Sequence, residues 1–93
     1  MKILITAGPT REPIDPVRFL SNRSSGRMGY AMAKAFARLD HRVLLISGPT
    51  SLEVPDHVDF IPVETAADML HAVSRYLTGV DVAIFCAAVA DYS

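Results

Sequence analysis

Between Thr6 and Gly29 the chain gathers residue types suited to holding an anion. Gly8, Gly26 and Gly29 carry no Cβ, so a ligand can approach their backbone and a helix can pack tightly on a sheet. Their order is that of a dinucleotide-type glycine fingerprint split by a long insertion. Four of the nine Lys and Arg residues, Arg11, Arg18, Arg23 and Arg27, fall in the same stretch. A guanidinium fork matches phosphate and carboxylate oxygens, so this clustering suits a phosphorylated ligand better than an apolar one. Ser24 or Ser25 would cap the following helix, its oxygen accepting from a first-turn N–H. The first-turn N–H groups left over, with the positive end of the helix dipole, then make an anion site. Internal pairing of the arginines with Glu12 and Asp15 is the competing use of these charges, and a turn is the competing use of Asn22.

The elements that position these residues follow from pattern. Lys2 to Thr6 is short, continuously apolar and β-branched, as a buried parallel strand should be. Residues 6–26, with Pro9, Pro13 and Pro16, read as a long functional loop. A helix follows from about Gly26 to Leu39, with Met28, Ala31, Met32, Ala35, Phe36 and Leu39 forming its expected core face. Tyr30, Lys34 and Arg38 fall off that face, and the methionines read as core filler. A second apolar strand spans Arg42 to Ser47 and stops at Gly48-Pro49. Val58 to Val63 is a weaker strand that Pro62 marks as an edge or an end. Thr65 caps a second helix, Asp68 completing a capping box, with Ala66, Met69, Leu70, Val73 and Leu77 on its apolar face and Gly79 as its stop. Val80 to Phe85 is the fourth strand, with Asp81 exposed near its start.

Right-handed crossovers turn this succession into half of a Rossmann-like, doubly wound α/β sheet, mainly parallel, in the order 3-2-1-4. Strands 1 and 4 then meet at the topological switch point, where ligands of such sheets bind outside the carboxyl ends. The loops leaving those two ends are the arginine-rich stretch and Cys86 to Tyr92.

Composition sets the outer bounds. Ninety-three residues, 51% hydrophobic and 20% charged, allow one small soluble domain. The net charge of -1 gives no reason to expect nucleic acid or a membrane surface. No apolar run reaches the length of a membrane span, and no signal peptide opens the chain. The single cysteine, Cys86, cannot form an internal disulfide, which fits a reducing cytoplasm. His41, His57 and His71 lack metal-ligand spacing, so no protein metal site is expected.

The stretch from Thr6 to Gly29, together with Ala87-Ala88-Val89-Ala90-Asp91-Tyr92, resembles the signature of the phosphopantothenoylcysteine synthetases, ligases of coenzyme A biosynthesis. The resemblance covers essentially the whole chain, which would be the N-terminal, nucleotide-binding half (residues 1–93) of a synthetase domain. It implies a reaction in which the carboxylate of 4′-phosphopantothenate attacks CTP, giving an acyl-cytidylate that cysteine converts to the amide, with Mg²⁺ at the phosphates. By the same resemblance Asn22 would hydrogen-bond the acyl-cytidylate and Arg18 would pair with a phosphate or the substrate carboxylate. Gly8, Ser24, Ser25 and Gly26 would hold the nucleotide phosphates. Phe85, Cys86 and Ala87 match the strand end lying along CTP, and Asp91 matches a nucleotide-contacting aspartate. Cys86 then reads as a small buried residue and not a nucleophile.

The resemblance further implies a homodimer when the domain is complete and, in many bacteria, fusion to a flavin-dependent decarboxylase. Family members continue past this point with further strands and a lysine-rich flap. On that ground the fourth strand is expected to be an edge awaiting a neighbour, and the chain alone to be inactive and prone to associate. Two other readings stand beside this one: a nucleotide-binding module without catalysis, and a fragment of an NAD(P)-dependent oxidoreductase. Against the oxidoreductase, the glycine fingerprint is interrupted and the second strand ends in Ser47-Gly48-Pro49, with no carboxylate for a ribose hydroxyl.

Overall fold

The structure, a computed structural model, describes residues 1–15, 18–21 and 26–86, with the backbone course alone for 11–15 and 18–21. Strand β1 (Lys2–Ala7) is the centre of the molecule, buried from Ile3 to Ala7. It lies between β4 (Arg42–Ser47) and β6 (Val82–Phe85), parallel to both, and β5 (Val58–Pro62) extends the sheet beyond β4. The order β5-β4-β1-β6 is the expected 3-2-1-4, with the hairpin strands described below left out of the count.

The apolar runs are continuous because both sheet faces are covered. Ile3, Ile5 and Ala7 of β1 join Val43 and Leu45 of β4 under α1 (Arg27–Arg38), in one core cluster with Tyr30 and Ala33. Leu4, Leu44 and Ile46 face the other way and pack with Met69 of α2 (Ala66–Tyr76). A residue step of one changes face, so a strand flanked by helices on both sides can afford no polar alternation. Asp81 precedes β6 and is exposed as expected: its carboxylate accepts from the Lys2 N–H at 2.7 Å, and its own N–H donates to the Lys2 carbonyl at 2.8 Å. These two bonds fix where β6 joins β1.

Four expectations need correction. The stretch read as a long loop contains an antiparallel ribbon, β2 (Arg11–Asp15) with β3 (Arg18–Ser21), whose register shifts between Pro13 and Asp15. Proline suggested a break there, but a two-stranded ribbon has a free edge on each strand, where a missing N–H costs no ladder bond.

Helix α1 also turns a different face to the sheet. Gly29, Tyr30 and Ala33 are buried, whereas Met28 is 71% exposed and Leu39 66% exposed. The buried stripe lies about one residue step, roughly 100°, from the most hydrophobic one. Close packing decides this: a Cβ on Gly29 would overlap the Ala7 side chain, so the helix sits on the strand through its smallest residue. Met32 and Phe36, partly buried against the same cluster, belong to both stripes.

The third correction is the helix cap. The N-cap of α1 is Gly26, at φ 81° and ψ −1°, with no side-chain cap hydrogen bond. Neither Ser24 nor Ser25 holds that position, and both lie outside the described residues. Helix α2 follows expectation at its start, with the Thr65 hydroxyl accepting from the Asp68 N–H at 3.1 Å and the Asp68 carboxylate from the Thr65 N–H at 3.3 Å. The last correction is the α2 face, which is narrower than read: Met69 is buried and Val73 partly so, but Leu70 is 68% exposed and Leu77, just past the helix, 45%.

Candidate functional site

At the carboxyl end of the sheet four strand ends come level. The register pairs Ala7 with Ser47, Ser47 with Pro62, and Thr6 with Phe85. The chain leaves β1 through Gly8, at φ 80°, a conformation that an L side chain resists. It re-enters at Gly26, again left-handed, and a Cβ placed on Gly26 would stand 3.0 Å from the Gly8 Cα and 3.2 Å from the Gly8 nitrogen. The two glycines are therefore neighbours although the ribbon separates them in sequence. The interrupted fingerprint closes in space.

Helix α1 rises directly from this turn. The Tyr30 N–H donates to the Gly26 carbonyl at 3.0 Å, and the first turn carries no acidic residue. N–H groups at such a terminus and the aligned peptide dipoles favour an anion. Arg27, exposed at the first helical position, adds a positive charge where the dipole is already positive, which suits a ligand more than it suits the helix.

The other side of the crevice is the end of β6. Phe85 is 64% exposed and Cys86 partly buried, with the Cys86 N–H donating to the Thr6 carbonyl at 3.0 Å and its thiol directed at the Met32 sulfur, 3.8 Å away. Of the site residues named from sequence, Gly8, Gly26, Phe85 and Cys86 thus gather at the carboxyl ends of β1 and β6. Arg18 lies on β3, where its backbone pairs with Asp15. Asn22, Ser24, Ser25, Ala87 and Asp91 lie outside the described residues.

Sequence reading missed the side chains that brace this end. The Tyr30 hydroxyl donates to Ser47 Oγ at 2.8 Å, Ser47 Oγ donates to the Gly48 carbonyl at 2.8 Å, and Thr50 Oγ1 donates to the Tyr30 oxygen at 3.3 Å. The Gly48 N–H donates to the Ala7 carbonyl at 3.0 Å, and a Cβ on Gly48 would run into the Pro9 carbonyl. The signal was a polar-tipped aromatic one residue after Gly29 and a threonine just past Gly48-Pro49.

A cleft of about 680 Å³ opens one strand away, where Tyr30, Ser47, Thr50 and Phe60 form walls and Glu64 and Asp68 also line it. Its hydroxyls bond one another and its two charged lining residues are carboxylates, so it offers a phosphate little. The glycine turn, with the first-turn N–H groups of α1 beside it and no acidic residue in that turn, suits an anion better than this cleft does. No group of three His, Cys, Asp or Glu side chains that could hold a metal occurs among the described residues. Nor is any described helix long and apolar enough to cross a membrane.

Fold and site together define a Rossmann-like α/β domain with its distinctive glycine turn at the switch point. The chain belongs to the family described as the DNA/pantothenate metabolism flavoprotein C-terminal domain, whose model matches residues 1–93. It is 55% identical over 92 residues to the coenzyme A biosynthesis bifunctional protein CoaBC of Bacillus subtilis, and 53% identical over 92 residues to that of Escherichia coli K12. These alignments take in 98% and 99% of this chain but 23% of each relative. The crystal structure of the C-terminal domain of a CoaBC protein superposes with a TM-score of 0.91 at 59% identity, over 98% of this chain and 46% of that one. The match thus falls in the C-terminal part of these bifunctional proteins.

Proposed function

We propose that the chain is the N-terminal, nucleotide-binding half of a phosphopantothenate–cysteine ligase domain that activates its acid with CTP. The observation that carries this reading is the contact of Gly8 with Gly26 beside the end of β6, in a chain whose relatives are named for coenzyme A biosynthesis. A carboxylate is a poor electrophile until one oxygen becomes part of a good leaving group. A carboxylate oxygen of 4′-phosphopantothenate attacks the α-phosphorus of CTP, the bond to the β-phosphate oxygen breaks, and pyrophosphate leaves. The cysteine amine then attacks the acyl carbon, the bond to the CMP oxygen breaks, and the nitrogen sheds a proton as the amide forms.

The protein's share is to hold two anions together and orient them. The turn at Gly26 and the first N–H groups of α1 would take phosphate oxygens, and Arg18 a phosphate or the substrate carboxylate. Asn22, with one donor and one acceptor end, would hold the acyl-cytidylate without adding charge. The backbone from Phe85 through Ala87 would lie along the nucleotide, with Asp91 beyond it. Mg²⁺ would neutralise phosphate charge, carried on the phosphate oxygens themselves. By the same reading the complete domain is a homodimer and works next to a flavin-dependent decarboxylase.

The test is nucleotide choice, measured by calorimetry and pyrophosphate release on the synthetase domain that carries this chain. CTP with Mg²⁺ should bind and release pyrophosphate when phosphopantothenate is added, and NADP should not bind. Asn22→Asp should abolish the release without disturbing the fold. Tight NADP binding with no binding of CTP would overturn the reading in favour of an oxidoreductase.

A further inference from the structure

The Thr50 methyl occupies a position that the nucleotide reading leaves without a role. A Cβ on Gly8 would stand 3.0 Å from Thr50 Cγ2, and a Cβ on Gly26 would stand 3.2 Å from the same carbon. One methyl therefore backs both glycines, in the space their missing side chains would take. Its direction is fixed. Threonine carries its hydroxyl and methyl on one Cβ, so locking the hydroxyl locks the methyl. Thr50 Oγ1 donates to the Tyr30 oxygen at 3.3 Å and accepts from the Leu52 N–H at 3.1 Å. Tyr30 in turn stands on α1 and bonds Ser47 at the end of β4.

We propose that Thr50 is a positioning residue: its methyl, aimed by the Tyr30–Ser47 hydroxyls, wedges Gly8 and Gly26 at the spacing that a nucleotide phosphate requires. The proposal rests on the reading that phosphates bind at this glycine turn. It makes the segment after β4, which touches no phosphate in that reading, a determinant of nucleotide affinity. The three hydroxyls bond one another, so their contribution passes through the geometry of the turn and not through contact with ligand.

Two substitutions separate the methyl from the hydroxyl. Thr50→Ser keeps the hydrogen bonds and removes the wedge, whereas Thr50→Val keeps a methyl at that place and loses the bonds. Both are made in the full chain, labelled with nitrogen-15, and titrated with CTP and Mg²⁺ by NMR alongside thermal unfolding. Thr50→Ser should weaken CTP binding about tenfold with little change in melting temperature, since small misplacements of binding groups are costly. Thr50→Val should melt lower, having lost partly buried hydrogen bonds, yet bind CTP within about threefold of the parent, because its stiff β-branched side chain still presents a methyl to both glycines. The heteronuclear NOE of the Gly8 and Gly26 amides, read without ligand, should fall in Thr50→Ser alone.

Unchanged CTP affinity in Thr50→Ser overturns the proposal, as does an equal loss of affinity in both variants. If the parent itself binds no CTP, the nucleotide reading fails. The NOE values then still decide whether the methyl holds the two glycines, and unchanged values in Thr50→Ser would reject the wedge.

Discussion

Gly29 shows how much of this molecule is settled by single atoms. A Cβ there would overlap Ala7, so the distance from α1 to β1 depends on one residue having no side chain. Alanine would improve helix propensity by about 1 kcal/mol. Overlap with a buried strand works the other way and costs about 1–3 kcal/mol. Gly29→Ala should therefore be less stable than the parent by roughly 1 kcal/mol in urea unfolding, with overlap winning. A gain in stability would mean that the helix can slide outward freely. Gly8, Gly26 and Gly29 were legible in the sequence as residues needing room, because glycine has few other reasons to recur at a strand exit and a helix start. What was not legible was Tyr30. Its polar tip placed it off the core by hydrophobicity, yet its ring is buried against Phe60 and its hydroxyl is satisfied by Ser47. Hydropathy ranks residues one at a time and cannot see a hydroxyl on the neighbouring strand.

Among the elements, α2 was the most readable, because its N-terminal signal is local. Thr65 and Asp68 satisfy each other's backbone N–H within one turn and need nothing from the rest of the fold. Thr65→Ala should cost about 1 kcal/mol. In a domain of this size that lowers the melting temperature by about 4–8 °C, which a thermal scan resolves. No change would show that the helix end is held by packing alone. The α1 face failed for the opposite reason. Two apolar stripes were available on that helix, and strand β1 selected the one with glycine and alanine in it. The ribbon β2–β3 was hidden by its prolines, since its pairing is between strands and proline is read one position at a time. Arg18 lies on that ribbon, which gives it a defined backbone partner in Asp15.

At the scale of the molecule the sheet order was fully legible. Four apolar runs, two helices and the right-handed crossover rule leave few alternatives, and 3-2-1-4 is the simplest. That order puts β1 beside β6 and brings Gly8, Gly26, Phe85 and Cys86 to one end, whatever the ligand. Sequence could not show that a cleft of this size would open beside it, at the ends of β4 and β5, since cleft volume depends on how Tyr30, Thr50 and Phe60 pack. The two places predict different outcomes for a bound nucleotide. The glycine turn offers N–H groups and a helix dipole, and the cleft offers apolar walls with Glu64 and Asp68. Coulomb terms favour the turn for any triphosphate. The most direct measurement is a crystal structure of the protein with CTP and Mg²⁺. The account predicts triphosphate density against the Gly8–Gly26 turn in the crevice between β1 and β6. Triphosphate seated instead in the Tyr30–Phe60 cleft, with the glycine turn empty, would contradict it.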